Sequence, residues 1–238
     1  MDNLLLLVEG RDDVYVVSRL LEKHNLTRLR DLKDTGIHPR KLFWGDTPLD
    51  IVPVSEDGGV IEKFETILQY GRECPRVVGL ILDFDGPTKT QANNRHEAVR
   101  NAIIRLQNNG CQWDLLNGFV LSEAGFIAEP VNSDTPRIGV WLMPNNRDRG
   151  MLETFLQGLI PESRFDLLDH ARSSTDTANK QHQAPFKPTH QEKAVVHTFL
   201  AWMDEPGYPF GQSFQNNSFD AKTVLACLFV EWVKKLFR

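Results

Sequence analysis

Two uninterrupted apolar runs, Leu4–Val8 and Val77–Leu82, each lead straight into carboxylates: Glu9 after the first, Asp83 and Asp85 after the second. A strand that is apolar at every position is buried on both faces, as strands are in a parallel sheet covered by helices on two sides. The segments between agree. Asp12–His24 places Val14, Val17, Leu20 and Leu21 at helical spacing, Asp50–Val54 is a short β-branched run, and Val60–Gln69 carries Ile61, Phe64, Ile67 and Leu68 as a second amphipathic helix. After the Asp83-to-Pro87 turn signal, Gln91–Gln107 reads as a third helix with Val99, Ile103, Ile104 and Leu106 inward. Repeated β-then-α units predict an α/β fold, a central mostly parallel sheet flanked by helices. Such sheets carry function at the carboxyl ends of their strands. Glu9 and the Asp83/Asp85 pair, distant in sequence, are therefore predicted to meet on one edge.

The remainder is less regular. Residues 27–48 are polar and irregular and read as an insertion loop. Phe119–Ala128 and Arg137–Met143 read as strands, and Gly150–Leu159 and Phe165–Ala171 as helices. Residues 173–189, rich in Ser, Thr, Asn, Gln and Pro, read as a mobile loop. Gln191–Met203 and Asp220–Phe237 close the chain as helices, with Trp202, Trp232 and Phe237 expected in the core. This divides the chain into a domain over 1–158 and a C-terminal helical extension over 159–238 packed on it.

Composition excludes some classes. Net charge is −5 over 238 residues, the wrong sign for binding nucleic acid by bulk electrostatics. That balance still suits a metal-dependent enzyme, in which clustered carboxylates lower the net charge and a bound cation supplies the positive field. The three cysteines, Cys74, Cys111 and Cys227, are far apart and fit neither a disulfide framework nor a zinc knuckle, which favours the cytoplasm. No apolar run approaches the roughly 20 residues of a membrane span, and Met1–Val8 lacks the flanks of a signal peptide.

Leu5-Leu6-Leu7-Val8-Glu9-Gly10-Arg11-Asp12-Asp13 resembles the first TOPRIM motif, an apolar strand running into Glu-Gly with an Asp four residues after the Glu. Leu80-Ile81-Leu82-Asp83-Phe84-Asp85 resembles the second, a strand ending in Asp-x-Asp, with one further β-α unit between the two. TOPRIM domains occur in topoisomerases, bacterial primases and overcoming-lysogenization-defect (OLD) nucleases. Arg137 through Asn145, Gly150 through Leu156, Lys193-Ala194, Phe199 through Trp202 and Pro206-Gly207 extend the likeness over nearly the whole chain. They resemble a family of stand-alone TOPRIM-like proteins of unassigned function.

The chemistry suits the motif. Mg²⁺ or Mn²⁺ takes oxygen ligands and usually keeps several waters beside one or two carboxylates. Crowded carboxylates repel and raise one another's pKa until a cation relieves them. The resemblance implies Glu9, Asp13, Asp83 and Asp85 as metal ligands, with Asp12 an exposed first-turn charge. In OLD-type nucleases an acidic residue opening a late helix joins a second metal site. Glu153 matches that position, although the hydroxyl residue usual two positions earlier is Met151 here. The other reading of Glu153 is a first-turn carboxylate favoured by the helix dipole. Lys193 matches a lysine that steadies phosphorane charge, with a solvated helix lysine as its plain alternative. Asn145, Asn146, Arg147 and Arg149 form a polar loop able to bind phosphate or simply to turn the chain. His190 and His197, two helical turns apart, are not at a zinc-ligand spacing.

These residues imply a divalent-metal-dependent nuclease acting on DNA or RNA, with Glu9, Asp13, Asp83, Asp85, Glu153 and Lys193 as its site. The alternative is a non-catalytic TOPRIM-like subunit that binds metal or a partner, because resembling domains are often coupled to ABC-type ATPases, including in anti-phage systems. The chain itself has no Gly-x-x-x-x-Gly-Lys-Ser/Thr loop. Topoisomerase chemistry would need a tyrosine nucleophile in a separate large domain, and primase chemistry a zinc module.

Overall fold

The computed structural model describes residues 3–30, 40–54, 59–69, 74–84, 89–115 and 118–238. Its sheet contains seven strands: β1 (Leu4–Val8), β2 (Thr27–Leu29), β3 (Arg40–Trp44), β4 (Thr47–Pro53), β5 (Val77–Asp83), β6 (Phe126–Ala128) and β7 (Arg137–Met143), in the order β2-β3-β4-β1-β5-β7-β6. The inner strands β4, β1, β5 and β7 are parallel, with Leu6 opposite Ile51 and Gly79. Antiparallel strands extend both edges.

The helices are α1 (Arg11–Lys23), α2 (Val60–Gln69), α3 (Lys89–Asn108), α4 (Leu152–Gln157), α5 (Phe165–His182), α6 (Gln191–Ala201), α7 (Phe210–Ser213) and α8 (Val224–Leu236). From β1 the chain steps outward to β4 in one direction and then returns to place β5 on the other side of β1. Parallel crossovers are right-handed, so this reversal puts α1 and α2 on opposite faces. Alternate residues of β1 serve the two layers, because successive side chains of a strand point to opposite faces. Leu4, Leu6 and Val8 pack in one core with α1, α4, α5, α6 and α8; Leu5 and Leu7 pack in the other with Phe64 and Leu68 of α2 and Val99, Ile103 and Leu106 of α3. No helix among the described residues is long and apolar enough to cross a membrane.

Five expectations are corrected. Residues 27–48, expected as an insertion loop, supply β2, β3 and the start of β4; residues 31–39 lie outside the described residues. Edge strands expose one face, so Leu42 is the fully buried hydrophobic of β3, Leu29 and Trp44 pack on the core half-buried, and the buried Arg40 conceals the pattern by pairing with Glu22 of α1. Residues 173–189, expected as a mobile loop, are helical as far as His182. Ala171 and Thr175 face inward while the polar residues coat an exposed face, and Asp176 pairs with Lys180 one turn on. The strand expected over Phe119–Ala128 is confined to β6. Trp202, expected in the core, is 41% exposed and stacks on His170, and Ile104 is likewise exposed while Ala102 turns inward.

Candidate functional site

The reversal of strand order falls between β1 and β5, and the crevice beyond the carboxyl ends of such strands is where open α/β sheets bind ligands. Glu9 leaves β1 at that point and Asp83 ends β5. The backbone N–H of Asp83 donates to Glu9 Oε2 at 3.3 Å, so the two sequence motifs adjoin. Asp13 lies in the first turn of α1. Its Oδ2 accepts the Gly10 N–H at 3.0 Å, which folds the buried carboxylate back over the strand end.

Two helix starts, those of α4 and α6, close the site. Phe84 and Gly150 form a bridge, with the Gly150 N–H donating to the Phe84 carbonyl at 3.0 Å. That bridge holds the start of α4 against the end of β5, where Asp83 Oδ1 accepts the Leu152 N–H at 2.9 Å. Glu153 follows and is 6% exposed. Lys193, in the first turn of α6, stands 3.6 Å from Glu153 Oε1 and 3.9 Å from Asp12 Oδ2. The structure thus brings Glu9, Asp13, Asp83, Glu153 and Lys193 to one edge. Asp85 lies outside the described residues.

The electrostatics follow from this crowding. Burial, reinforced by the charges of Glu9 and then Glu153, pushes the Asp13 carboxyl up to about 7, against the opposing pull of the Gly10 N–H. His197, on α6 and stacked on Phe210, is held below the usual imidazole range by burial and by the Lys193 ammonium. Both readings of Glu153 describe one geometry, since a first-turn carboxylate of α4 is also a neighbour of Asp13.

Sequence reasoning missed Arg95. Its guanidinium reaches from α3 to Glu9 Oε1 at 2.8 Å. No local signal marks it, because its partner Glu9 follows a different strand from the one that leads to α3. The polar loop after β7 serves the turn itself. Asn146 accepts the Leu142 N–H, Asn145 accepts the N–H groups of Arg147 and Asp148, and Arg147 pairs with Glu123.

Among the described residues, no three His, Cys, Asp or Glu side chains are drawn together as ligands of one ion. Glu9 turns to Arg95, Asp13 to Gly10, Asp83 to Leu152 and Glu153 to Lys193. The donor set nevertheless fits Mg²⁺ or Mn²⁺. It is all carboxylate oxygen, as hard cations require, and the crowding of Glu9, Asp13 and Glu153 that raises the Asp13 carboxyl is an excess of negative charge that a cation would relieve.

Residues 3–238 match the family described as protein of unknown function, DUF3226. The chain belongs to that family. Comparison of this DUF3226 chain with curated proteins gives no match. Among solved structures it is similar to hypothetical protein PH0156 from Pyrococcus horikoshii OT3, at 16% identity and a TM-score of 0.58 over 99% of this chain and 95% of that one. That likeness concerns the fold. A looser one, at 11% identity and a TM-score of 0.45, relates it to the C-terminal region of the Burkholderia pseudomallei OLD protein, covering 100% of this chain and 98% of that region.

Proposed function

We propose that this chain is a divalent-metal-dependent nuclease that hydrolyses phosphodiesters of DNA or RNA at the carboxyl edge of its sheet. The observation that carries the reading is the meeting of Glu9 and Asp83 across the point where strand order reverses, with Asp13 and Glu153 beside them. Glu9, Asp13, Asp83 and Glu153, together with Asp85, would hold the metal. A bound divalent ion supplies a water made nucleophilic near neutral pH and stabilises the charge on the leaving oxygen.

The chain's own residues divide the remaining work. The burial of Asp13 and Glu153 keeps bulk water from screening their charges. Lys193 and Arg95 stand on opposite flanks of the carboxylates, where each can hold a phosphate oxygen and offset the charge that grows as water adds to phosphorus. The P–O bond to the leaving oxygen then breaks, and that oxygen takes a proton.

A second reading, a non-catalytic metal- or partner-binding subunit of an ABC-type ATPase complex, draws on the Arg95 pairing, which already neutralises Glu9. One experiment separates the two. End-labelled single- and double-stranded DNA and RNA are incubated with Mg²⁺ or Mn²⁺, and Mn²⁺ binding is measured by calorimetry. The nuclease reading expects cleavage that Glu9→Gln and Glu153→Ala each reduce at least about 100-fold. It also expects Arg95→Ala to slow cleavage while tightening Mn²⁺ binding. Metal binding without cleavage of any substrate would favour the subunit reading.

A further inference from the structure

A cavity of about 700 Å³ opens beside the carboxylate edge, between the loop before α4 and the helices α4, α5 and α6. It shares two short stretches with the candidate metal site. Arg149, Gly150 and Met151 line it and run directly into Leu152 and Glu153; Glu192 lines it and precedes Lys193.

Its walls are a built polar network over an apolar floor. Gln157, buried at 6% exposure, donates from Nε2 to Glu192 and accepts the Nε and Nη2 hydrogens of Arg172 on its Oε1, at 3.2 and 2.9 Å. A neutral amide thus orients the Arg172 guanidinium and leaves its charge in place. The carboxylate it also touches, Asp169, is 70% exposed, and pairs of that kind are weak and exchangeable. Across the cavity, Arg149 has no carboxylate partner among the described residues, although its neighbour Arg147 is engaged with Glu123. Met151, Leu168 and Phe165, the last 46% exposed, line the same cavity as the two arginines. An exposed aromatic with apolar neighbours, flanked by arginines, is the combination that holds single-stranded nucleic acid: the ring stacks on a base while the guanidinium groups hold phosphates. The cavity falls within the size range of small-molecule sites, too narrow for a duplex.

We infer that this cavity is a binding site for one or two nucleotides of a single strand, adjoining the scissile position, with the base on Phe165 and Leu168 and the phosphates on Arg149 and Arg172. The inference rests on the nuclease reading for what lies next door, and it gives that site a substrate class: strands with a single-stranded end or flap. A duplex substrate would then have to be frayed before it could occupy both sites.

The test is fluorescence anisotropy with a labelled 12-nucleotide oligothymidylate, the matching duplex, and free thymidine monophosphate as competitor, in Ca²⁺ and in EDTA. The single strand should bind more tightly than the duplex. Phe165→Ala should weaken it at least about five-fold, the loss expected from one stacked base, and Phe165→Tyr should restore it. Arg149→Ala and Arg172→Ala should weaken it and flatten its salt dependence, with Mn²⁺ affinity unchanged in every variant. Single-strand binding that is untouched by Phe165→Ala and Arg149→Ala in folded protein would overturn the inference and leave the metal reading standing. So would equal binding of the duplex, or monophosphate binding as tight as the oligonucleotide. Loss of strand binding in these variants, in a protein that takes up no Mn²⁺, would instead retain the cavity and overturn the metal reading.

Discussion

Asp13 shows how much of the site's behaviour is set by one buried carboxyl. Its pKa lies near 3.8 in the unfolded chain and is pushed up to about 7 in the folded one by burial and by Glu9 and Glu153. Well below its unfolded pKa both states are protonated, and the group adds no pH dependence to stability. As pH rises from about 4 to about 7 the unfolded chain releases a proton that the folded chain keeps, so stability falls, and the loss is complete above the folded pKa. A tenfold difference in proton affinity is worth about 1.4 kcal/mol, enough to move a midpoint by about 3–5 °C in a chain of this size. Asp13→Asn keeps an acceptor for the Gly10 N–H and removes the charge. In EDTA its melting temperature at pH 8 should exceed the wild type's by at least that amount, and the two should converge near pH 3. Melting curves across this range check it, and a variant less stable at pH 8 would contradict the assignment. At this scale Glu9, Asp13 and Asp83 were legible because each follows an apolar strand at a motif spacing. Arg95 was not: nothing local distinguishes it from other surface arginines, and its role appears only once α3 is placed against β1.

At the scale of elements, the inner strands and the helices between them could be read from periodicity, because burial on two faces leaves runs such as Leu4–Val8 without polar interruption. The edge strands β2 and β3 could not, since half-exposed strands admit residues such as Arg28 and Lys41. Nor could the length of α5, which meets α6 along a stripe too narrow to interrupt its Ser- and Thr-rich sequence. The joint between β5 and α4 gives a testable separation of structure from chemistry. Asp83 Oδ1 accepts the Leu152 N–H and so caps α4 from another strand. Asp83→Asn retains an oxygen for that bond; Asp83→Ala does not. Loss of a helix N-terminal acceptor costs about 0.5–2 kcal/mol, so Asp83→Ala should lower the melting temperature by about 1–8 °C and Asp83→Asn should not. Both should remove any rise in melting temperature that Mg²⁺ produces. Thermal denaturation of the two variants with and without Mg²⁺ checks it, and equal destabilisation by both would show that the charge, not the cap, matters to α4.

For the whole molecule, the C-terminal helices and the sheet share one core. Gly79 of β5 and Gly139 of β7 sit opposite each other in register. A side chain at either would strike Leu236 of α8, and one at Gly79 would also strike Leu6. The paired glycines therefore make a trough in the sheet that seats α8, whose Trp232 donates to the Phe126 carbonyl of β6 at 3.2 Å. Arg137 of β7 donates to the Lys235 and Leu236 carbonyls at the helix's end. Phe229, Trp232 and Leu236 belong to the same buried cluster as Leu4, Leu6 and Val8, the strand that delivers Glu9. A fold held this way should unfold in one cooperative transition, and filling the trough should lower the whole of it. Overpacking a close-packed site costs about 1–3 kcal/mol, so Gly139→Val should reduce the melting temperature by roughly 2–12 °C with the transition still single. Circular dichroism, following the helices, and tryptophan fluorescence, following Trp141 and Trp232 in the core, should report coincident curves in wild type and variant. If α8 came away first, with Trp232 fluorescence changing below the temperature at which the sheet melts, the closing helices would be a separable cover and not part of the platform on which the acidic edge is built.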